Sequence, residues 1–406
     1  MSEKMKLNLS TYYADLHVHI GATSEGRAVK ISASRNLTFE AIAREATDRK
    51  GIDLIGIIDA QSPGVLADID RLIARGEMEE LPAGGIRYKN TTILLGSEIE
   101  IKPDGKGTAH VLCYMPSLDA MKHFSRWMSA HMRNIHLSTQ RIYVEAVKLQ
   151  QEVAAYGGVF VPAHIFTPHK SIYGSCTDRM EDVLDMQLVD AVEVGLSADR
   201  DMTARISELD PYTLLTNSDA HSLSKIGREY NSFVMAEPNF AEWCKVLRKQ
   251  EGRGVAANYG LNPRLGKYHR TTCGNGHLLV DGVHSSGNHM SQPCSTCGSK
   301  VVIGGVYDRI ASIADRSVEE AVRPDRTPYI HQVPLEYLPG VGPSTMRKML
   351  QQFGTEMNIL HRASMEDLCA VVGDKIAQFI QAARTGTLEL RSGGGGTYGG
   401  VMNTEK

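Results

Sequence analysis

The chain has 406 residues, 42% of them hydrophobic and 22% charged, which excludes global disorder and is too long for one ordinary domain. Its net charge of −3 is unevenly spread: residues 253–406 carry 16 Lys+Arg against 13 Asp+Glu, so residues 1–252 hold 28 against 34. A weakly basic C-terminal third behind an acidic body permits nucleic-acid contact without requiring it. No run approaches 18 consecutive apolar residues, so no transmembrane helix is expected, and no membrane partner. The opening MSEKMKLNLS lacks the apolar core of a signal peptide, which points to the cytoplasm. Seven cysteines, with only Cys294 and Cys297 closely spaced, fit a reducing compartment and a metal site better than a disulfide framework.

In chain order, TYYADLHV, GIDLIGIID, TTILLGSEIEI, GGVFVPAH, LVDAVEVG and YTLLTNSD read as strands, most of them apolar on both faces. Strands of a parallel sheet covered by helices have that pattern. Between the first two, Phe39, Ile42, Ala43 and Ala46 share one helical face, with Thr38 as N-cap and Gly51 as the C-terminal stop. Residues 117–156 have room for two helices, and 239–250 for one more. The expected fold class is α/β, a distorted βα barrel or a doubly wound sheet, over residues 1–252. The rhythm then breaks. Residues 253–323 begin with a stretch rich in Gly, His, Cys and Asn that is too poor in apolar residues for its own core. Residues 324–385 are helical again, and 386–406, with SGGGGTYGG, read as a flexible tail.

The strand ends carry the chemistry. His17 and His19 are two apart in an extended segment, so both imidazoles can reach one metal. Similar endings recur: Asp59, Glu98, His164, then Asp219 with His221, while His110 lies on the strand after Glu98. In a βα barrel those ends share one face. These motifs (HxH, an apolar run ending in Asp, GSEIE, AH and SDAH) resemble the PHP superfamily, polymerase and histidinol phosphatase, over roughly residues 11–235. That resemblance implies His17, His19, Glu98 and Asp219 around one metal, and Glu98, His110 and His164 around a second, with Glu98 bridging. It places Glu98, Asp219 and His221 at the chemistry. The family usually has Asp-His where this chain has Asp59-Ala60, and an acid or His soon after HxH, where only Glu25 offers itself. His221 is left as the main ligand of a third metal, so two are expected. Paired cations activate water and clamp phosphoester oxygens, which makes phosphoester hydrolysis the reaction class, mono- or diester.

Cys273-x3-His277, followed after sixteen residues by Cys294-x2-Cys297-Gly298, reads as a structural zinc site. His277 is the weakest of the four, with His284 and His289 nearby. Further on, Leu338-Pro339-Gly340-Val341-Gly342-Pro343 before STMRKMLQQFG resembles a helix-hairpin-helix, in which a glycine turn opens a helix whose N–H groups grip a backbone phosphate. Gly340, Gly342, Arg347 and Lys348 are its candidate DNA contacts, and Met346, Met349, Leu350 and Phe353 its core. A plain helix–helix turn is the alternative.

The order of the three parts resembles endonuclease Q, a family that nicks DNA 5′ to deaminated bases (uracil, hypoxanthine, xanthine) and abasic sites. That resemblance implies DNA with damaged bases as the partner, a sliding clamp as a candidate second one, and a nucleoid-associated monomer. Zinc is expected in the structural site and at the active site, with Mg or Mn as the catalytic alternatives. Residues 166–173 (within IFTPHKSIY) and the NPRLGKYHR segment are the candidates for presenting the damaged strand. A small-molecule phosphatase with appended modules and a non-catalytic DNA-binding adaptor are the rival readings.

Overall fold

The computed structural model describes residues 8–266, 268–279, 285–286, 289–290, 293–322, 326–391 and 400–402. Seven strands form a distorted barrel: β1 (Ser10–Val18), β2 (Leu54–Ile57), β3 (Thr91–Ile101), β4 (Ala109–Met115), β5 (Val159–Pro162), β6 (Ala191–Glu193) and β7 (Thr213–Leu215). β1, β2 and β3 run parallel, as do β6 and β7, but β4 is antiparallel to both of its neighbours. The sequence pattern does not reveal that reversal, because a strand buried on both faces is apolar whichever way it runs. Closure is by single hydrogen bonds instead of full ladders. Asp190 N donates to Phe160 O at 3.0 Å, Ile165 N to Glu193 O at 2.9 Å, and His19 N to Ala220 O at 3.1 Å.

One apolar cluster draws on all seven strands, with Leu16, Leu54, Leu94, Tyr114, Val161, Ala191 and Leu215 among its members. Tyr114 is fully buried in this cluster. Its ring lies so close over Gly96 that a Cβ there would sit 2.9 Å away, and its hydroxyl donates to Leu16 O at 2.6 Å.

The helices form where the pattern places them. Thr38 caps Phe39–Arg44, its hydroxyl accepting from Ala41 N at 3.2 Å, a contact of about 1 kcal/mol. The next turn, Glu45–Lys50, widens to a π-helix before stopping at Gly51, whose φ of +76° is left-handed. Leu118–Ser129 and Ala146–Ala155 divide the 117–156 stretch, and Phe240–Leu247 covers the sheet near its end.

The sheet continues past the composition break at Gly252. β8 (Tyr230–Met235) pairs antiparallel with the first half of β1, β9 (Gly254–Gly260) with β8, and β10 (Tyr329–His331) lies parallel to β9. The C-terminal helices Pro343–Phe353, Glu356–His361, Met365–Val372 and Asp374–Thr385 pack into the same large apolar cluster as the barrel's outer face. Glu356 meets Lys50 at 3.0 Å and Arg49 at 3.2 Å, and the His361 ring stacks on Tyr13 at 4.4 Å. Residue 324, where the helical segment was expected to begin, lies outside the described residues, as do 392–399 and 403–406 of the tail; Leu390–Arg391 pairs with Gly400–Val401. Among the described residues, no helix is long and apolar enough to cross a membrane.

Candidate active site

Seven of the eight histidines and acids singled out at or beside strand ends meet at one end of the barrel. His110 lies near the start of β4 instead of its end, and because β4 runs backwards its start lies at the same end as the last residues of β1 and β3. Glu98 is central. Its Oε1 is 2.9 Å from His110 Nδ1, 3.2 Å from His164 Nε2 and 3.7 Å from His17 Nε2, and its Oε2 is 3.5 Å from His19 Nε2. On the other side, Asp219 Oδ1 is 3.5 Å from each of His17 Nε2, His19 Nε2 and His221 Nδ1. Three overlapping groups have ligand atoms within 4.8 Å of one another: His17–His19–Glu98, Glu98–His110–His164 and His19–Asp219–His221.

The cluster is built for cations. His17 Nε2 and His110 Nε2 are buried without a hydrogen-bond partner, a costly arrangement unless a ligand satisfies them. Burial pushes Glu98 and Asp219 toward protonation, yet His110, Lys30 and His164 hold Glu98, and His17, His19 and His221 hold Asp219, well below the usual carboxylate range. Burial likewise opposes charge on His17, but Glu193, Asp219 and Glu98 overcome it and raise its pKa to about 10. His164 and Asp219 adopt left-handed backbone, φ +30° and +46°, a strain that non-glycine residues tolerate mainly at functional positions. Gly195 allows the close approach to His164, since a Cβ there would lie 2.9 Å from the His164 Cβ.

Other sequence candidates fall elsewhere. Asp59 does not enter the cluster; its Oδ2 holds His19 Nδ1 at 2.9 Å and accepts from Ile20 N at 2.8 Å. Glu25 is exposed and faces Arg27 and Arg71 at 3.5 and 3.6 Å, because the chain after HxH turns outward there. Within 166–173, Phe166 and Tyr173 are core side chains stacked on each other at 5.3 Å. Thr167, Pro168, His169 and Lys170 do line the cluster's cavity.

Comparison with known proteins places this geometry. No family model matches the chain. It is 50% identical over 392 residues to the uncharacterized protein YqxK of Bacillus subtilis, covering 96% of this chain and 98% of that one. The lesion-specific endonuclease PfuEndoQ of Pyrococcus furiosus superposes with a TM-score of 0.81 at 28% identity, over 97% of this chain and 95% of that structure. Endonuclease Q bound to a 27-mer duplex, with an abasic lesion at its active site, gives 0.80 at 28% identity, over 98% and 97%. Along nearly its whole length the chain is a structural relative of endonuclease Q.

In this endonuclease Q relative, the cysteine-rich segment gathers Cys273, His277, Cys294 and Cys297, all ligand atoms within 4.8 Å. Cys273 Sγ lies 3.6 Å from Cys297 Sγ and 3.4 Å from His277 Nδ1. His284 lies outside the described residues. Backbone N–H groups of Thr296 and Cys297 turn toward Cys294 sulfur and hold its pKa down to about 6, while Gly298, at φ +71°, closes the turn. Its apolar cluster is small: Cys273, Cys294 and Val302, with Leu279 against them.

At the hairpin, Gly340 is left-handed at φ +83°, and Gly342 precedes Pro343–Phe353. Arg347 and Lys348 are exposed, while Met346 and Met349 are buried and Leu350 and Phe353 half-buried. A second glycine turn, at Gly373 (φ +80°) between Met365–Val372 and Asp374–Thr385, lies beside the first; a Cβ on Gly340 would meet Ile376 at 3.1 Å. VVGDK carries that signal in the sequence. Glu193, within LVDAVEVG, is a further strand-end acid that the motifs do not include: its carboxylate holds His17 Nδ1 at 3.0 Å and accepts from Asn217 Nδ2 and His164 N. Thr167, whose hydroxyl lies 3.0 Å from His164 Nδ1, had no signal.

Proposed function

We propose that this chain is a DNA repair endonuclease that nicks on the 5′ side of deaminated bases (uracil, hypoxanthine, xanthine) and of abasic sites, using divalent metal ions. The observation that carries this reading is the convergence of His17, His19, Glu98, His110, His164, Asp219 and His221 around buried, unpartnered ring nitrogens. The donor set of imidazole and carboxylate fits zinc, manganese or iron, with magnesium the hardest to fit. His17, His19, Glu98 and Asp219 would hold one ion and Glu98, His110 and His164 a second. Such ions supply Lewis-acid activation of water and charge neutralisation on a phosphodiester. The protein supplies orientation: Asp59, Glu193 and Thr167 fix the imidazoles of His19, His17 and His164 through their other nitrogens. No serine or cysteine is needed as nucleophile, and Cys113, buried in the barrel, has its thiol pushed far up by burial.

Residues 253–323 would form a scaffold held by zinc on Cys273, His277, Cys294 and Cys297. Residues 324–385 would grip backbone phosphates through Gly340, Gly342, Arg347 and Lys348. Lesion reading is assigned to a cavity of about 900 Å³ lined by Asp199, Asn262, Arg264, His269, Arg270 and His331. It adjoins the metal cavity through chain neighbours, since Ser197 and Tyr268 line one while Asp199 and His269 line the other. A base in a duplex hides its altered edge, so reading it requires flipping it into such a space.

The test is incubation of the purified chain with end-labelled duplexes carrying uracil, hypoxanthine, an abasic site or no lesion, with products sized on a gel. Metal-dependent 5′ nicks at lesions only are expected. Cleavage of all four duplexes alike, or of none, would overturn the reading.

A further inference from the structure

Lys30 belongs to no motif, yet it is the one Lys or Arg side chain, among the described residues, within ion-pair distance of a candidate metal ligand. The chain leaving β1 returns it to the site: Lys30 N donates to Ile20 O at 2.8 Å, and Val29 N to Gly21 O at 3.0 Å. Its Nζ then reaches 3.2 Å from Glu98 Oε2 and 2.5 Å from Thr139 Oγ1. Thr139, itself left-handed at φ +54°, also donates to that Glu98 oxygen at 2.5 Å. The Lys30 side chain is 15% exposed and lines the same cavity as His19, Glu98, Asp219 and His221.

The three overlapping ligand groups raise the question of how many ions fit. A carboxylate can bridge two ions, but an imidazole nitrogen has one lone pair. His19 Nδ1 is engaged by Asp59, so its Nε2 can serve only one of the two groups that share it. If His19 joins His17 and Glu98, a third ion is left with Asp219 and His221. It would also face the positive charge of Lys30.

We propose that Lys30 is the site's built-in third cation: it neutralises the outer oxygen of Glu98, keeps a third metal ion out, and presents its ammonium to the scissile phosphate. Charge supports this. Four carboxylates contact the cluster's imidazoles (Asp59, Glu98, Glu193 and Asp219), while Glu100 is paired with Lys170 at 2.8 Å. Two divalent ions offset those four, and Lys30 adds a positive charge toward a phosphodiester's single negative charge, while Arg228, which lines the same cavity, is turned onto the backbone carbonyls of Ser218 and Asp219 at 2.7 and 3.4 Å.

The proposal rests on the metal-dependent reading above, but its test needs no DNA. The full chain, with zinc retained at the cysteine segment, is titrated with Mn²⁺, and bound Mn²⁺ is counted in wild type, Lys30→Arg and Lys30→Met. Two ions per chain are expected in wild type and Lys30→Arg, and a third, weaker one in Lys30→Met. Three ions in wild type would overturn the proposal without reference to any variant, as would an unchanged count of two in a folded Lys30→Met. In single-turnover nicking of an abasic duplex, Lys30→Met should be slower by about a hundredfold, with Lys30→Arg in between. If wild type nicks no duplex, the proposed function fails, while the Mn²⁺ count still decides the role of Lys30.

Discussion

The barrel cluster and the cysteine cluster are both candidate metal sites, yet they stand in opposite relation to the fold around them. In the barrel, the ligands sit at the ends of strands whose apolar residues pack from all seven sides, and each of His17, His19 and His164 is fixed through its second nitrogen. The protein would hold its shape and hold the ions. In the cysteine segment the apolar cluster has three buried residues, Cys273, Cys294 and Val302, and the first two are themselves candidate ligands. There an ion would hold the protein. Loss of metal should therefore cost chemistry in the barrel and structure in the cysteine segment.

Asp219→Asn gives the largest expected effect. It removes one anionic ligand from a preformed site, so single-turnover nicking should fall by about a thousandfold, several kcal/mol of barrier, while melting temperature and DNA affinity stay near wild type. A variant that melts early would show that the barrel also depends on its ions. Cys294→Ser with Cys297→Ser tests the other side. It should release about one zinc per chain by elemental analysis and expose the segment to proteolysis, with the barrel's own transition preserved. An unchanged zinc count would mean that this cluster is empty in the native protein.

Glu193→Gln sharpens the first half of the comparison. Loss of the carboxylate behind His17 should weaken Mn²⁺ binding by about 10–100-fold without unfolding the barrel. Arg347→Ala with Lys348→Ala touches neither cluster. Phosphate contacts position a protein without carrying base information, so affinity for damaged and undamaged duplexes should fall by about the same factor, with a salt slope shallower by up to about one unit per contact. Loss of lesion preference with undamaged-duplex affinity retained would mean that the hairpin reads the base.

The smallest effect is in protons. Without an ion, His17 has its pKa raised to about 10 and carries a proton at neutral pH, whereas Cys294, at about 6, is already a thiolate. Mn²⁺ binding in the barrel should therefore release a proton below pH 10 and strengthen as pH rises; in the cysteine cluster Cys294 adds no such release above about pH 6, whereas Cys273, whose thiol burial pushes up, does. Calorimetry in two buffers of different ionisation enthalpy measures the release; none in the barrel would contradict the assignment of His17 as a ligand.

The sequence by itself determined the elements and the chemical inventory. Apolar runs ending in His17, His19, Glu98, His164 and Asp219 are local signals, because a buried strand must be apolar and its polar end must face a site. The Thr38 and Gly51 helix signals are equally local. What the tertiary structure alone decided depends on contacts between distant residues. The reversal of β4, which brings His110 to Glu98, leaves no periodicity behind. The turning of Asp59 onto His19, the outward course of Glu25 and the return of Lys30 to Glu98 are each set by how a loop packs. β9 and β10 join the barrel's sheet across a break in composition, because backbone pairing is indifferent to the side chains that mark such a break.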